Sequence, residues 1–169
     1  IGLYKQADNA IHKNINGEIF TYLPATVDEA VVKDGITIGL VQQEVMNLVN
    51  TPANHQSPAS LGAWASRSAA QYGYSADILD KQHLITLGMH ALLAVNRGSE
   101  QPAQCVVTHY KHPEAKQKIA LIGKGVIFDT GGISIKDSKN MHYMKSDMAG
   151  AAAALGAVEA CARLKLKVD

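Results

Sequence analysis

Apolar residues recur at helical spacing between Val27 and Asn50. They occupy positions 31, 38, 41, 45, 48 and 49, which predicts an amphipathic helix. Gly35 and Gly39 weaken this prediction in the first half of the segment. The helix should stop before Pro52, because the residue preceding a proline avoids the α region. The 50–54 stretch is therefore predicted to be a helix end and a loop.

A second helix is predicted to begin at Ser57. This serine is a favourable N-cap, and Pro58 suits the first helical position. The helix should run to about Tyr72 and end at Gly73. A long alanine-rich helix is predicted further on, opening at Ser146 or Asp147 and ending near Leu166.

Shorter segments alternate with these helices. Runs rich in branched residues predict strands at Ser75–Leu79, Cys105–Tyr110 and Lys118–Ile122, with a weaker candidate at Glu18–Leu23. Lys81–Leu87 reads as a short helix closed by Gly88, and Ala91–Asn96 fits either an apolar strand or a helix. Alternating strands and helices predict an α/β layer fold with a largely buried sheet.

Composition narrows the possible functions. The chain has 169 residues, 47% of them hydrophobic and 18% charged, which is enough for one domain with a core. A net charge of +1 gives no electrostatic reason to expect nucleic acid or an anionic membrane as the main partner. Cys105 and Cys161 are too few for a disulfide framework, so reduced thiols in a cytosolic protein are expected. No apolar run is long enough to cross a bilayer.

Four charged residues form the chemical signature of the chain. Lys124, Asp129, Lys136 and Asp147 follow the apolar run 119–122 and lie among glycines. If that run is a central strand, these side chains lie at the carboxyl edge of the sheet, where ligand sites of open α/β sheets occur. Any one of them alone is better explained as a salt-bridge partner. The Asp147 carboxylate could equally be an N-cap that stabilises the following helix. Four together on tight turns favour a site for a hard divalent cation and an anionic intermediate.

The surrounding motif excludes two common phosphate sites. Gly123, Lys124 and Gly125 are not part of a GxxxxGK[ST] loop, and the third glycine of a dinucleotide fingerprint is missing. The histidines show no HExxH or paired spacing, which argues against a histidine-based metal centre and against a metal-dependent phosphoesterase. His142 lies near the four residues in sequence and is a weak candidate for substrate contact.

The segment from Ile119 to Gly156 closely resembles the leucine (cytosol) aminopeptidases, the M17 family of two-metal exopeptidases. This chain carries GKGVIFDTGGISIK and then MKSDMAGAA, at the spacing of the family's two motifs. The stretches LVNTPAN at 48–54 and LGMHALLAV at 87–95 also look like family segments. The resemblance covers most of residues 40–169. It implies a three-layer α/β/α fold with a central mixed, largely parallel sheet, truncated at the C-terminus.

Carried over residue by residue, the resemblance implies specific roles. Lys124, Asp129 and Asp147 would be metal ligands, with Asp129 bridging two divalent ions. These ions would be Mn²⁺ or Zn²⁺, with Mg²⁺ or Co²⁺ also compatible. Lys136 would be the catalytic lysine, facing the scissile carbonyl of the substrate. Met144 would lie in the pocket for the substrate side chain, although a methionine there is more often core.

The resemblance also implies a domain organisation. Residues 1–27 would be the end of an N-terminal domain or a linker, residues 28–56 a linker helix and loop, and residues 57–169 the first part of the catalytic domain. The family's NTDAEGR-type segment, with an acidic pair and an arginine, does not occur in these residues. We therefore expect an internal piece of a longer protein that is inactive alone.

The expected function is that of a cytoplasmic leucyl-type aminopeptidase acting on peptides, hexameric in the parent protein. The alternative is a non-catalytic DNA-binding or assembly module that keeps the fold. The identity of the residues at the missing acidic positions discriminates between the two hypotheses.

Overall fold

A computed structural model describes residues 28–169 as five helices and two strands. The helices are α1 (Glu29–Asn50), α2 (Pro58–Tyr72), α3 (Lys81–Thr86), α4 (His90–Asn96) and α5 (Ala149–Leu164), and the strands are β1 (Ser75–Leu79) and β2 (Cys105–His109). A 3₁₀ turn at Met141–Ser146 precedes α5. The predicted strand at Glu18–Leu23 lies outside the described residues.

Local sequence signals account for the ends of the first two helices. The Asp28 side chain accepts a hydrogen bond from the Ala30 N–H at the start of α1 (2.9 Å). Ser57 and Ser60 form a reciprocal capping box that starts α2. Helix α2 ends at Gly73, whose φ of 77° is the left-handed conformation that glycine adopts without steric cost. These boundaries confirm the predictions for both helices.

Within residues 28–169 the sheet is small and has two strands. Strands β1 and β2 pair antiparallel, with Ser75 opposite His109 and Leu79 opposite Cys105. The strand predictions at both positions are confirmed. The segment Ala91–Asn96, which was ambiguous, is helical within α4.

The prediction of a strand at Lys118–Ile122 was wrong. A strand needs a continuous ladder, and within residues 28–169 this segment pairs at one point. The Asp169 N–H donates to the Gln117 carbonyl (3.0 Å), and the Ile119 N–H donates to the Asp169 carbonyl (2.8 Å). These two bonds have the pattern of a parallel pair. Ile122, just beyond them, is 98% exposed.

Helix α5 begins later than predicted. Its first residue is Ala149, and Met148 holds the N-cap position without a side-chain hydrogen bond. Asp147 lies between the 3₁₀ turn and α5 and is not an N-cap. Its carboxylate instead lies next to the ammonium of Lys124, at 2.9 Å. Helix α5 ends at Leu164, followed by Lys165 in the left-handed conformation.

The core lies where α1, α2 and α5 meet above the strands. Its buried apolar residues are Leu48, Leu61, Ala65, Met148, Ala152 and Leu155. Helix α5 approaches α1 closely at Gly156, where an added Cβ would overlap Cγ2 of Val45. Trp64 is partly buried and packs against this core.

A buried polar network joins α2 to α5. Ser68 donates to Oε2 of Glu159 (2.6 Å), and the Tyr74 hydroxyl donates to Ser68 (2.6 Å). Arg163 pairs with the other Glu159 oxygen at 3.0 Å, so both oxygens of this buried carboxylate have partners. Sequence reasoning gave no indication of this network.

Candidate metal and substrate site

The backbone at Lys124 is held directly against the start of α5. The Ala151 N–H donates to the Lys124 carbonyl (2.9 Å). Gly123 and Gly150 allow this approach, because a Cβ at Gly123 would overlap the Gly150 carbonyl group. This approach brings together the side chains of Lys124 and Asp147, which are 23 positions apart in sequence.

A tight turn brings Asp129 and Lys136 together. The Gly131 N–H donates to Oδ1 of Asp129 (2.9 Å), and Gly131 has a φ of 88° that a side chain would strain. The Lys136 N–H donates to the Thr130 carbonyl (2.9 Å), which folds the loop back on itself. The side chains of Asp129 and Lys136 therefore meet across this loop.

The four charged residues form one connected cluster. Lys124 Nζ lies 2.9 Å from Asp147 Oδ2 and 3.8 Å from Asp129 Oδ2. Lys136 Nζ lies 2.9 Å from the same Asp129 oxygen. Asp129 Oδ2 is thus shared between the two lysines. The structure brings together all four residues that the sequence singled out.

Met144 lies beside the cluster. Its sulfur is 3.1 Å from Lys136 Nζ, so the Lys136 ammonium is held between a carboxylate and a thioether. Met144 is half-buried, and the 3₁₀ turn places it three residues before Asp147. His142, in the same turn, packs its ring against Tyr143, with centroids 4.2 Å apart.

The ion pairs shift the protonation of the cluster. Lys124 has a raised pKa, chiefly because its ammonium contacts Asp147, while partial burial acts in the opposite direction. Asp129 has a lowered pKa, chiefly because Lys136 donates to its carboxylate, and secondarily because the Gly131 N–H does so. Both residues are therefore charged at neutral pH.

The donor set fits one side of a metal shell. Two carboxylates and an amine converge, and hard cations prefer oxygen while an amine is compatible with zinc or cobalt. Asp147 Oδ2 is a buried atom that lies 2.9 Å from the Lys124 ammonium. Such an atom suits a cation. Across residues 28–169 no group of three or more histidine, cysteine and acidic residues has metal-binding geometry.

Two supporting features escaped sequence reasoning. The close approach of Gly123 and Gly150 fixes Lys124, and paired glycines in the two motifs were its only signal. The contact of Lys145 Nζ with the Asn50 carbonyl (3.0 Å) links the 3₁₀ turn to α1. Lys145 stands next to Met144 in the MKSD motif, but nothing in the sequence identifies Asn50 as its partner.

Two solved structures share this fold. The bottromycin maturation enzyme BotP, in complex with Mn, superposes with a TM-score of 0.78 at 35% identity, covering 85% of this chain and 31% of that one. Leucine aminopeptidase from Caenorhabditis elegans gives a TM-score of 0.77 at 29% identity, over 82% of this chain and 28% of that one. These neighbours confirm the predicted α/β fold class.

Sequence relatives agree with the structural neighbours. A probable cytosol aminopeptidase from Chlorobium luteolum is 51% identical over 135 residues, 79% of this chain and 27% of the relative. Another from Chlorobaculum parvum is 44% identical over 172 aligned positions, 98% of this chain and 34% of the relative. The chain thus spans about a third or less of the length of these relatives.

No helix within the described part of the chain, residues 28–169, is long and apolar enough to cross a membrane. The sequence model of the cytosol aminopeptidase family, catalytic domain, matches residues 43–169. That match includes the whole lysine–aspartate cluster. The chain belongs to the cytosol aminopeptidase family.

Proposed function

We propose that this chain contributes the first part of the active site of a metal-dependent, leucyl-type aminopeptidase. The observation that carries the proposal is the convergence of Lys124, Asp129 and Asp147 with Lys136 beside them. Family membership supports a peptidase. The alternative, a non-catalytic module, would not require all four charges to be retained in contact.

Lys124, Asp129 and Asp147 are proposed to hold two divalent ions, with Asp129 as the bridge. Mn²⁺ and Zn²⁺ are the leading choices, and the Mn complex of BotP supports manganese. When bound, paired ions supply an activated water and a binding point for the substrate's free α-amine. Lys124 carries a proton in the ion pair with Asp147 and must release it before its nitrogen can act as a ligand.

Lys136 is proposed to act on the substrate. Its ammonium is held at 2.9 Å from Asp129, and its side chain is 40% exposed. A fixed positive charge there can stabilise the oxyanion that forms when water attacks the peptide carbonyl. Met144 beside it is proposed to line the pocket for the N-terminal side chain of the substrate.

The activity is proposed for the longer protein that these relatives represent. Peptides are the proposed substrates, the cytoplasm the proposed location, and a hexamer the proposed assembly. The names of the relatives support the location. The remaining acidic ligands and the arginine of the family motif would come from outside these 169 residues.

Replacing Lys136 tests the catalytic assignment. In the full-length protein with Mn²⁺, Lys136→Met should lower kcat for leucine p-nitroanilide by about a hundredfold or more, because the oxyanion loses its charged donor. Lys139→Met, an exposed lysine of the same loop, is the matched control and should leave kcat unchanged. Wild-type kcat in Lys136→Met would remove Lys136 from the mechanism.

The isolated chain provides a second test. Purified residues 1–169 with added Mn²⁺ should show no hydrolysis of leucine p-nitroanilide, because the remaining acidic ligands are proposed to come from outside these residues. The full-length protein assayed under the same conditions is the positive control. Turnover by the 169-residue chain would show that its own residues complete the site.

A further inference from the structure

Lys145 lies in the site motif but directs its ammonium to a different element. Its neighbour Met144 contacts Lys136, and Asp147, two residues on, pairs with Lys124. Lys145 Nζ instead donates to the carbonyl oxygen of Asn50, the last residue of α1, at 3.0 Å. The two residues are 95 positions apart in sequence.

The end of α1 is a favourable place for a cation. The last carbonyls of a helix have no partner within it and carry partial negative charge. Helix α1 has no basic residue of its own in its last turn. Thr51 satisfies the Asn47 carbonyl through its backbone N–H (3.1 Å) and its hydroxyl (2.8 Å). Lys145 supplies a positive charge at this helix end and donates a hydrogen bond to the Asn50 carbonyl.

The 3₁₀ turn is not anchored by buried side chains of its own. None of its residues, Met141–Ser146, is buried, and 3₁₀ turns have poorer hydrogen-bond geometry than α-helices. On the far side of Asp147, Met148 is fully buried in the core. Asp147 therefore has the buried Met148 on one side in sequence. On the other side it has the 3₁₀ turn, which Lys145 bonds to α1.

We propose that Lys145 is a positioning residue that docks the 3₁₀ turn on the end of α1 and thereby sets the placement of Asp147 and Met144. It contacts neither substrate nor metal in this role. The inference rests on the proposed function, because it assumes that Asp147 is a metal ligand. It adds a dependence of the site on α1, a helix that contributes no ligand to the cluster.

Manganese titration of the full-length protein tests this role separately from stability. We expect Lys145→Met to raise the dissociation constant for Mn²⁺ by about tenfold, as the loss of a group that orients a metal ligand typically does. Lys145→Arg keeps a charged donor and should recover most of the affinity. Thr51→Val is the matched control, because it removes a hydrogen bond from the same helix end without touching the turn.

The outcomes separate the two proposals. Thr51→Val should lower the apo Tm while binding Mn²⁺ like the wild type. If Lys145→Met lowers the Tm but keeps wild-type Mn²⁺ affinity, the lysine is only a helix cap and the inference fails. If the wild type itself binds no Mn²⁺, the proposed function fails first. Should Lys145→Met not fold, Lys145→Gln provides the same comparison, and unchanged affinity there would equally overturn the inference.

Discussion

At the scale of single residues, one carboxylate oxygen organises the site. Asp129 Oδ2 lies 2.9 Å from Lys136 and 3.8 Å from Lys124, and the other oxygen accepts the Gly131 N–H. The positive charges of the two lysines balance the negative charges of Asp129 and Asp147. The cluster is thus held together by opposite charges.

The lowered pKa of Asp129 predicts that its contribution to the stability of the fold is lost in acid. Its carboxyl ordinarily titrates near 3.8, and in the folded chain it titrates lower. As the pH falls below about 4, the unfolded chain takes up this proton first, so the folded state loses stability. Without metal, urea unfolding of Asp129→Asn should therefore show a shallower loss of stability below pH 4 than the wild type.

Asp34→Asn, an exposed substitution on α1, is the control for a general charge effect in that experiment. It should follow the wild-type pH dependence. Parallel curves for Asp129→Asn and wild type would mean that the contacts of Asp129 with Lys136 and Gly131 do not persist in solution.

At the scale of elements, sequence predicts what is locally determined. Helix α2 could be bounded almost to the residue, because Ser57, Pro58 and Gly73 act on the backbone next to them. Lys118–Ile122 could not be judged in the same way, because branched residues favour a strand but its ladder depends on distant partners. The start of α5 was misplaced because Asp147, a good N-cap by type, is paired with Lys124.

The contact between α1 and α5 gives a prediction about packing. Gly156→Ala should destabilise the protein by about 1–3 kcal/mol, since its Cβ would overlap Val45 Cγ2. Val45→Ala removes the obstructing methyl groups, so the double variant Gly156→Ala/Val45→Ala should regain part of the stability lost in Gly156→Ala. Urea midpoints of the three variants measure this coupling.

Gly35→Ala, at a position of α1 with nothing within 4 Å of an added Cβ, is the control for replacing a helical glycine. It should be neutral or stabilising. Simple additivity of the Gly156 and Val45 substitutions would contradict the close packing of the two helices.

At the scale of the whole molecule, the four site residues come from neighbouring segments of the chain, and their supporting contacts come from distant ones. Lys124 follows the 117–119 segment in sequence. Asp129 and Lys136 lie on a turn that contains glycines, and Asp147 lies just before helix α5. Their side chains are in contact. The four residues could be singled out from sequence because they lie within one motif-rich stretch. The hydrogen bonds that support the site and the core could not be predicted from sequence. Lys145 bonds to Asn50 and Glu159 to Ser68, and each bond joins positions about a hundred residues apart.

The proposed metal centre is tested by a calorimetric titration of Mn²⁺ into the full-length protein, with the wild type beside Asp129→Ala. We expect two ions bound per chain in the wild type. We expect none at comparable affinity in Asp129→Ala, because the shared carboxylate is the proposed bridge. Asp129→Ala binding two ions with wild-type affinity would contradict the metal centre on which the proposed function depends.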